Sequence, residues 1–167
     1  MTLTQHQARS ALQGLISKYN DKTAGLRPSE RNQALTERDV INGYIMPLLR
    51  DVLGWDTEDS DVVKYELNTA AGFPDITLLG DPVMFIEAKR FEGIDQLPEA
   101  ERTLETVVKP EQLPLTGMVR DRSKEEQQAI NYAFENGGTW AILTNFERFR
   151  VYNARRDTLV FSIEQPS

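Results

Sequence analysis

Three charged residues interrupt apolar, strand-like sequence in FPDITLLGDPVMFIEAKRF: Asp75, Glu87 and Lys89. Side chains alternate along a strand, so Glu87 and Lys89 share one face, while Ile86 and Ala88 take the other, toward an apolar core. A hairpin folded about Gly80 and Asp81 sets Asp75 opposite the region of Ile86 and Glu87, where the two carboxylates converge. Hard oxygen donors on two neighbouring strands suit Mg²⁺, a cation that keeps several of its waters. Such an ion lowers the pKa of a bound water and stabilises charge on a phosphoryl oxygen. An ammonium beside it orients the attacking water and supports the transition state. The same residues also suit a plain acid–lysine ion pair at a strand end, since a PD…ExK pattern taken alone is short and loosely spaced.

The flanking elements must position these groups. Ala8, Leu12, Leu15, Ile16 and Tyr19 recur at helical spacing and predict a first amphipathic helix over 5–20. The polar stretch 21–35, with Gly25 and Pro28, reads as a loop. Thr36 and Asp39 form a capping-box pattern that opens a second helix. Its apolar stripe runs through Val40, Ile41, Tyr44, Ile45, Leu48, Leu49 and Val52. Pro47 is expected to kink that helix or break its ladder, and Gly54 to end it. Strands are predicted at 62–67, 74–80 and 83–91. Residues 92–123 carry Pro98, Pro110 and Pro114 with a short helical pattern over 99–107, and a connection this long inside a compact domain is often functional. Ser123 caps another helix that ends at Gly137. TWAILT, RFRVYN and TLVFSI read as three further strands. The order α, α, β, β, β, α, β, β, β predicts the α/β class: a mixed central sheet flanked by helices, with the first three strands and TWAILT at its centre.

A chain of 167 residues fits one domain, and its 40% hydrophobic and 27% charged content describes a soluble globular protein. No apolar run is long enough to cross a bilayer, and MTLTQHQARS lacks the apolar core of a signal peptide, so the expected location is cytoplasmic. There is no cysteine and a single histidine, His6. Disulfides, thiol chemistry, a Ser–His site and a multi-histidine metal site are thereby set aside. The net charge of −7 argues against tight unaided binding of nucleic acid. A carboxylate metal site is itself acidic, however, and the charge is clumped. DTEDSD (56–61) is acidic, whereas VRDRSK (119–124) and FERFRVYNARR (146–156) are basic; such clusters are solvated faces or phosphate contacts.

Pro74-Asp75 followed by Glu87-Ala88-Lys89 resembles the PD-(D/E)XK nuclease signature. Thr36-Glu37 opens a helix that runs into PLLRDVLGWD, and Gln128 and Tyr132 in QAINY resemble a QxxxY motif ahead of TWAILTNFERFRVYN. The series, over residues 33–155, looks like the nuclease domain of type I restriction motor subunits and of type IIG and type IIL restriction–modification enzymes. That resemblance implies the restriction-endonuclease-like fold and a Mg²⁺-dependent DNA endonuclease, with Mn²⁺ as a substitute. It implies Asp75 and Glu87 as metal ligands, the Ala88 carbonyl facing the metal and Lys89 as the catalytic lysine. Glu37 matches an acid that points toward the metal, or else serves only the helix dipole. Gln128 and Tyr132 match residues that support the site or touch DNA, or else pack as an ordinary amphipathic face. Trp140 and Ile142 are expected to be structural, and Thr144 and Asn145 to cap their strand. On this reading 1–35 is an N-terminal helix and loop, 36–155 the nuclease core and 156–167 a terminal strand. Relatives continue into motor, methyltransferase or recognition regions, so DNA specificity is expected from other domains or subunits, with transient dimerisation for double-strand cleavage. A non-catalytic docking module of the same fold and a RecB-like repair nuclease are the alternatives.

Overall fold

The computed structural model describes residues 3–69, 72–90, 123–155 and 158–164. Helix α1 (Gln5–Thr23) is capped by Thr4, whose hydroxyl accepts from Gln7 N–H while the Gln7 side chain returns to the Thr4 amide. The segment expected to be a loop contains a helix, α2 (Pro28–Ala34). Pro28 occupies the first helical turn, where a missing N–H costs nothing, and Glu30 accepts from the Arg27 amide at 2.7 Å. Proline marks the start of this helix rather than its absence.

Helix α3 (Glu37–Val40) has the expected box, with Thr36 and Asp39 bonded reciprocally. It continues through two π-helical segments, Ile41–Ile45 and Leu48–Val52, on either side of Pro47. Pro47 has no N–H to give the carbonyl four residues back, which belongs to Gly43. Lys18 of α1 supplies a donor instead, its Nζ 3.2 Å from the Gly43 oxygen. The wider turns therefore coincide with the residue expected to disturb the ladder. Gly54 lies beyond them at φ 78, a left-handed end that glycine adopts without strain.

The remaining elements are β1 (Val63–Tyr65), β2 (Ile76–Leu78), β3 (Met84–Ala88), α4 (Lys124–Glu135), β4 (Trp140–Thr144), β5 (Arg148–Asn153) and β6 (Thr158–Glu164). They form a six-stranded mixed sheet in sequence order. Only β3 and β4 pair in parallel; the other neighbours are antiparallel. The centre is thus β3–β4, and β1, expected to be central, is an edge. The helical pattern at 99–107 lies outside the described residues.

Both faces of the sheet are covered. Ile76, Leu78, Ile86 and Ala88 share a core with Tyr19 of α1 and with Tyr44, Ile45 and Leu49. On the opposite face Phe85, Ala141, Leu143 and Tyr152 pack against Ala129, Ile130 and Ala133 of α4. Gly138 lets this second layer close, since a Cβ there would lie 2.5 Å from the Phe85 ring. Glu126 is 1% exposed, yet its oxygens accept from Tyr152 Oη at 2.6 Å and from the Ser123 amide at 3.0 Å, with Arg150 Nη1 at 3.5 Å. That carboxylate ties the start of α4 to β5.

Phe146 joins α1 to the end of β4, its ring centroid 5.2 Å from Tyr19 and 5.1 Å from Tyr44. Phe146→Ala is expected to destabilise the chain by about 3–5 kcal/mol, seen as a lower urea midpoint at unchanged slope.

Candidate active site

The sheet register brings the carboxylates together. Ile76 lies opposite Ile86, and Leu78 opposite Met84. One step further along, the same register sets Asp75 against Glu87. Asp75 Oδ2 accepts a 2.7 Å hydrogen bond from the Ala88 amide on β3. Lys89 Nζ donates to Glu87 Oε1 at 2.6 Å. Glu87 is only 3% exposed, and its other oxygen, Oε2, is buried with no hydrogen-bond partner. The backbone at the end of β3 is fixed as well, because Lys89 N–H donates to the Thr144 carbonyl of β4 at 2.9 Å.

Burial governs the charges. Loss of water pushes the Glu87 carboxyl up from 4.5 to about 7, and the charge of Asp75 pushes the same way, while Lys89 opposes both. The Asp75 amide also favours the ionised form, though no hydrogen bond of ordinary geometry closes on Oε2. Asp75 is raised too, first by burial and further by the charges of Glu37 and Glu66, against the Ala88 amide and Lys89. Burial alone would lower the Lys89 ammonium. Its hydrogen bond and attraction to Glu87, with Glu37 and Asp75 adding, outweigh this and hold it above the ordinary lysine value.

Glu37 also reaches the group. Asp39 serves the helix cap, which leaves Glu37, at the first turn of α3, to accept from the Arg90 amide at 3.2 Å. Glu37, Lys89 and Arg90 line a pocket of about 500 Å³ together with Asn32, Gln33 and Glu125. A second pocket, of about 280 Å³, is lined by Arg38, Asn42, Tyr65, Glu66 and Asp75. Gln128 and Tyr132 form a pair within α4, Nε2 to Oη 2.9 Å. Tyr132 packs on the turn between β1 and β2, where a Cβ at Gly72 would lie 3.0 Å from its ring. No hydrogen bond described in the structure links Gln128 or Tyr132 to Asp75, Glu87 or Lys89. The described contact of Ala88 with this group is through its N–H.

Thr144 and Asn145 hold the β4–β5 turn, as expected of strand-end residues. Thr144 Oγ1 accepts from the Phe146 amide, and Asn145 Oδ1 from the Arg148 amide. Asn145 is nevertheless fully buried with an unpartnered Nδ2, beside the end of β3. Glu66 is the residue that sequence reasoning passed over. It comes directly after β1 at φ 42, and its amide donates to the Asp75 carbonyl at 3.1 Å. VVKYEL, which reads as strand, gives no signal of that turn.

Among the described residues, no group of three or more His, Cys, Asp or Glu side chains is placed to hold a metal ion. Mg²⁺ needs only one or two carboxylates, with waters and substrate phosphate completing its shell. Asp75 and Glu87 are hard donors of that kind, and the unpartnered Oε2 of Glu87 offers a free lone pair. The donor set fits Mg²⁺ or Mn²⁺ chemically. No family model, curated protein or solved structure matches the chain. Among the described residues, no helix is long and apolar enough to cross a membrane.

A carboxyl raised from 4.5 to about 7 keeps its proton in the folded chain after the unfolded chain has lost it. Glu87 therefore subtracts stability as pH rises through that window, by about 3 kcal/mol once the window is passed. In metal-free protein, Glu87→Gln is expected to remove this slope. Urea midpoints of the variant should gain on wild type between pH 4.5 and 7, whatever the offset from the lost Lys89 pair.

Proposed function

We propose that this chain is a Mg²⁺-dependent DNA endonuclease domain of the PD-(D/E)XK kind, acting in a restriction system that defends against foreign DNA. One observation carries the reading. Asp75 and Glu87 converge from paired strands, Lys89 is bonded to Glu87, and one buried Glu87 oxygen is left unpartnered. Structural ion pairs have no need of that loose end, since buried polar atoms are ordinarily satisfied.

Mg²⁺ held by Asp75 and Glu87 would supply an activated water and neutralise charge at the phosphate. Lys89, raised above the usual lysine value, stays protonated at neutral pH. It serves as a fixed cation that orients the attacking water and meets negative charge as it develops on the phosphate. Glu37 anchors the Arg90 amide and so holds the Lys89 end of β3. Gln128 and Tyr132 brace the β1–β2 turn that carries the chain to Asp75. In-line hydrolysis leaves 5′-phosphate and 3′-hydroxyl ends. Target recognition comes from other domains or subunits, in keeping with the net charge of −7.

A second reading is a non-catalytic docking module of the same fold, in which the Lys89–Glu87 bond is a structural ion pair. The readings part on metal affinity. Calorimetric titration of Mg²⁺ or Mn²⁺, with a DNA duplex present, is expected to show binding to wild type that Asp75→Ala abolishes. Heat absent from both proteins would favour the docking module. Lys89→Ala is expected to keep the metal but to cut DNA about 10²- to 10³-fold more slowly. An unchanged cleavage rate would remove the lysine from the mechanism.

A further inference from the structure

We infer that the pocket between α3 and the end of β1 takes one unstacked nucleotide of the strand being cut, beside the scissile phosphate. The inference rests on the nuclease reading and names a subsite for it. The pocket, of about 280 Å³, is lined by Arg38, Ile41, Asn42, Tyr65, Glu66 and Asp75. Asp75 sets it directly against the carboxylate pair.

Its walls match a base better than a phosphate. Glu66 and Asp75 present two carboxylates, which a phosphate group would meet as like charges. Tyr65, on edge strand β1, is 47% exposed, a large ring left half in water. Exposed rings in a nucleic-acid cleft are platforms for bases, whose faces stack without regard to sequence. Ile41 adds an apolar wall. Asn42 and Glu66 present an amide and an acceptor suited to the exocyclic amine of adenine or cytosine. Arg38, on α3, can stack on the base or meet the neighbouring backbone. Glu66 is held at φ 42, a left-handed conformation that non-glycine residues adopt at some cost. Such strain persists where the surroundings fix it, here through the bond to the Asp75 carbonyl. A base inside a duplex has both faces covered by its neighbours, so only an opened or single-stranded site can place one on Tyr65.

The test uses the Lys89→Ala chain, which holds substrate without cutting it quickly. Fluorescence anisotropy with Mg²⁺ would track a fluorescein-labelled single strand and the matching duplex, with 2-aminopurine at successive positions to report unstacking. Adding Tyr65→Ala is expected to weaken single-strand binding about tenfold and to remove the 2-aminopurine signal. Tyr65→Phe should retain both. Arg38→Gln should weaken binding and, if it meets the backbone, lower the salt slope by about one. Phe134→Ser, an exposed aromatic outside the pocket, should change nothing. If the parent binds and Tyr65→Ala binds equally well, the subsite is wrong and the nuclease reading stands. If the parent binds neither strand form with Mg²⁺ or Mn²⁺, the subsite is overturned, while the nuclease reading is judged by the metal titration and cleavage assay. Circular dichroism of each variant separates a lost contact from a lost fold.

Discussion

Sliding β2 by a single residue past β3 would part Asp75 from Glu87 and turn the apolar side chains of β2 to the other face. The carboxylate pair exists only because that slip is forbidden. Ile76 and Leu78 on one strand, Ile86 and Ala88 on the other, all enter the same core, so a shifted strand would expose its apolar set. Trp55 closes over the connecting turn, where a Cβ at Gly80 would come within 3.1 Å of its ring. The Asp75 carboxyl then completes the pairing by taking the Ala88 amide. Packing sets the register, and the register places the charges.

Two buried glutamates on the same face of the sheet receive opposite treatment. Glu126 has partners on both oxygens and joins a helix start to a strand, which makes it part of the scaffold. Glu87 shares one oxygen with Lys89 and keeps the other unmatched, at the expense of a carboxyl raised to about 7. A fold that satisfies one buried carboxylate fully, yet leaves another incomplete, carries a local energy burden at the second.

Much of the fold and of the carboxylate pair is legible in the sequence because the relevant signals are local. Alternation places Glu87 and Lys89 on one face, the turn sets the hairpin register, and Thr36 and Ser123 announce helix starts through their caps. What escapes is long-range or conditional. Pro28 punctuates a loop or opens a helix depending on the residues after it, and here it opens a helix where a loop is expected. The edge position of β1 is a matter of strand order, which periodicity does not encode. The strained turn at Glu66 is imposed by its bond to the Asp75 carbonyl rather than by any turn-forming residue. The second apolar layer, under α4, agrees with the expected sheet flanked by helices, although Glu87 and Lys89 make the end of that face read as polar.

The contact between Gly72 and Tyr132 bears on how this chain's descent would be traced. Gly72 sits at φ 126, and any side chain there would meet the tyrosine ring at 3.0 Å. The constraint runs one way: a side chain at Gly72 needs the tyrosine ring to give way, whereas a smaller residue at 132 leaves Gly72 undisturbed. A divergent cousin that lost the tyrosine could have done so to accommodate a bulkier hairpin, with its chemistry intact. Presence of that tyrosine is accordingly a marker of hairpin shape before it is a marker of activity, and kinship is better judged from the pair than from the tyrosine alone.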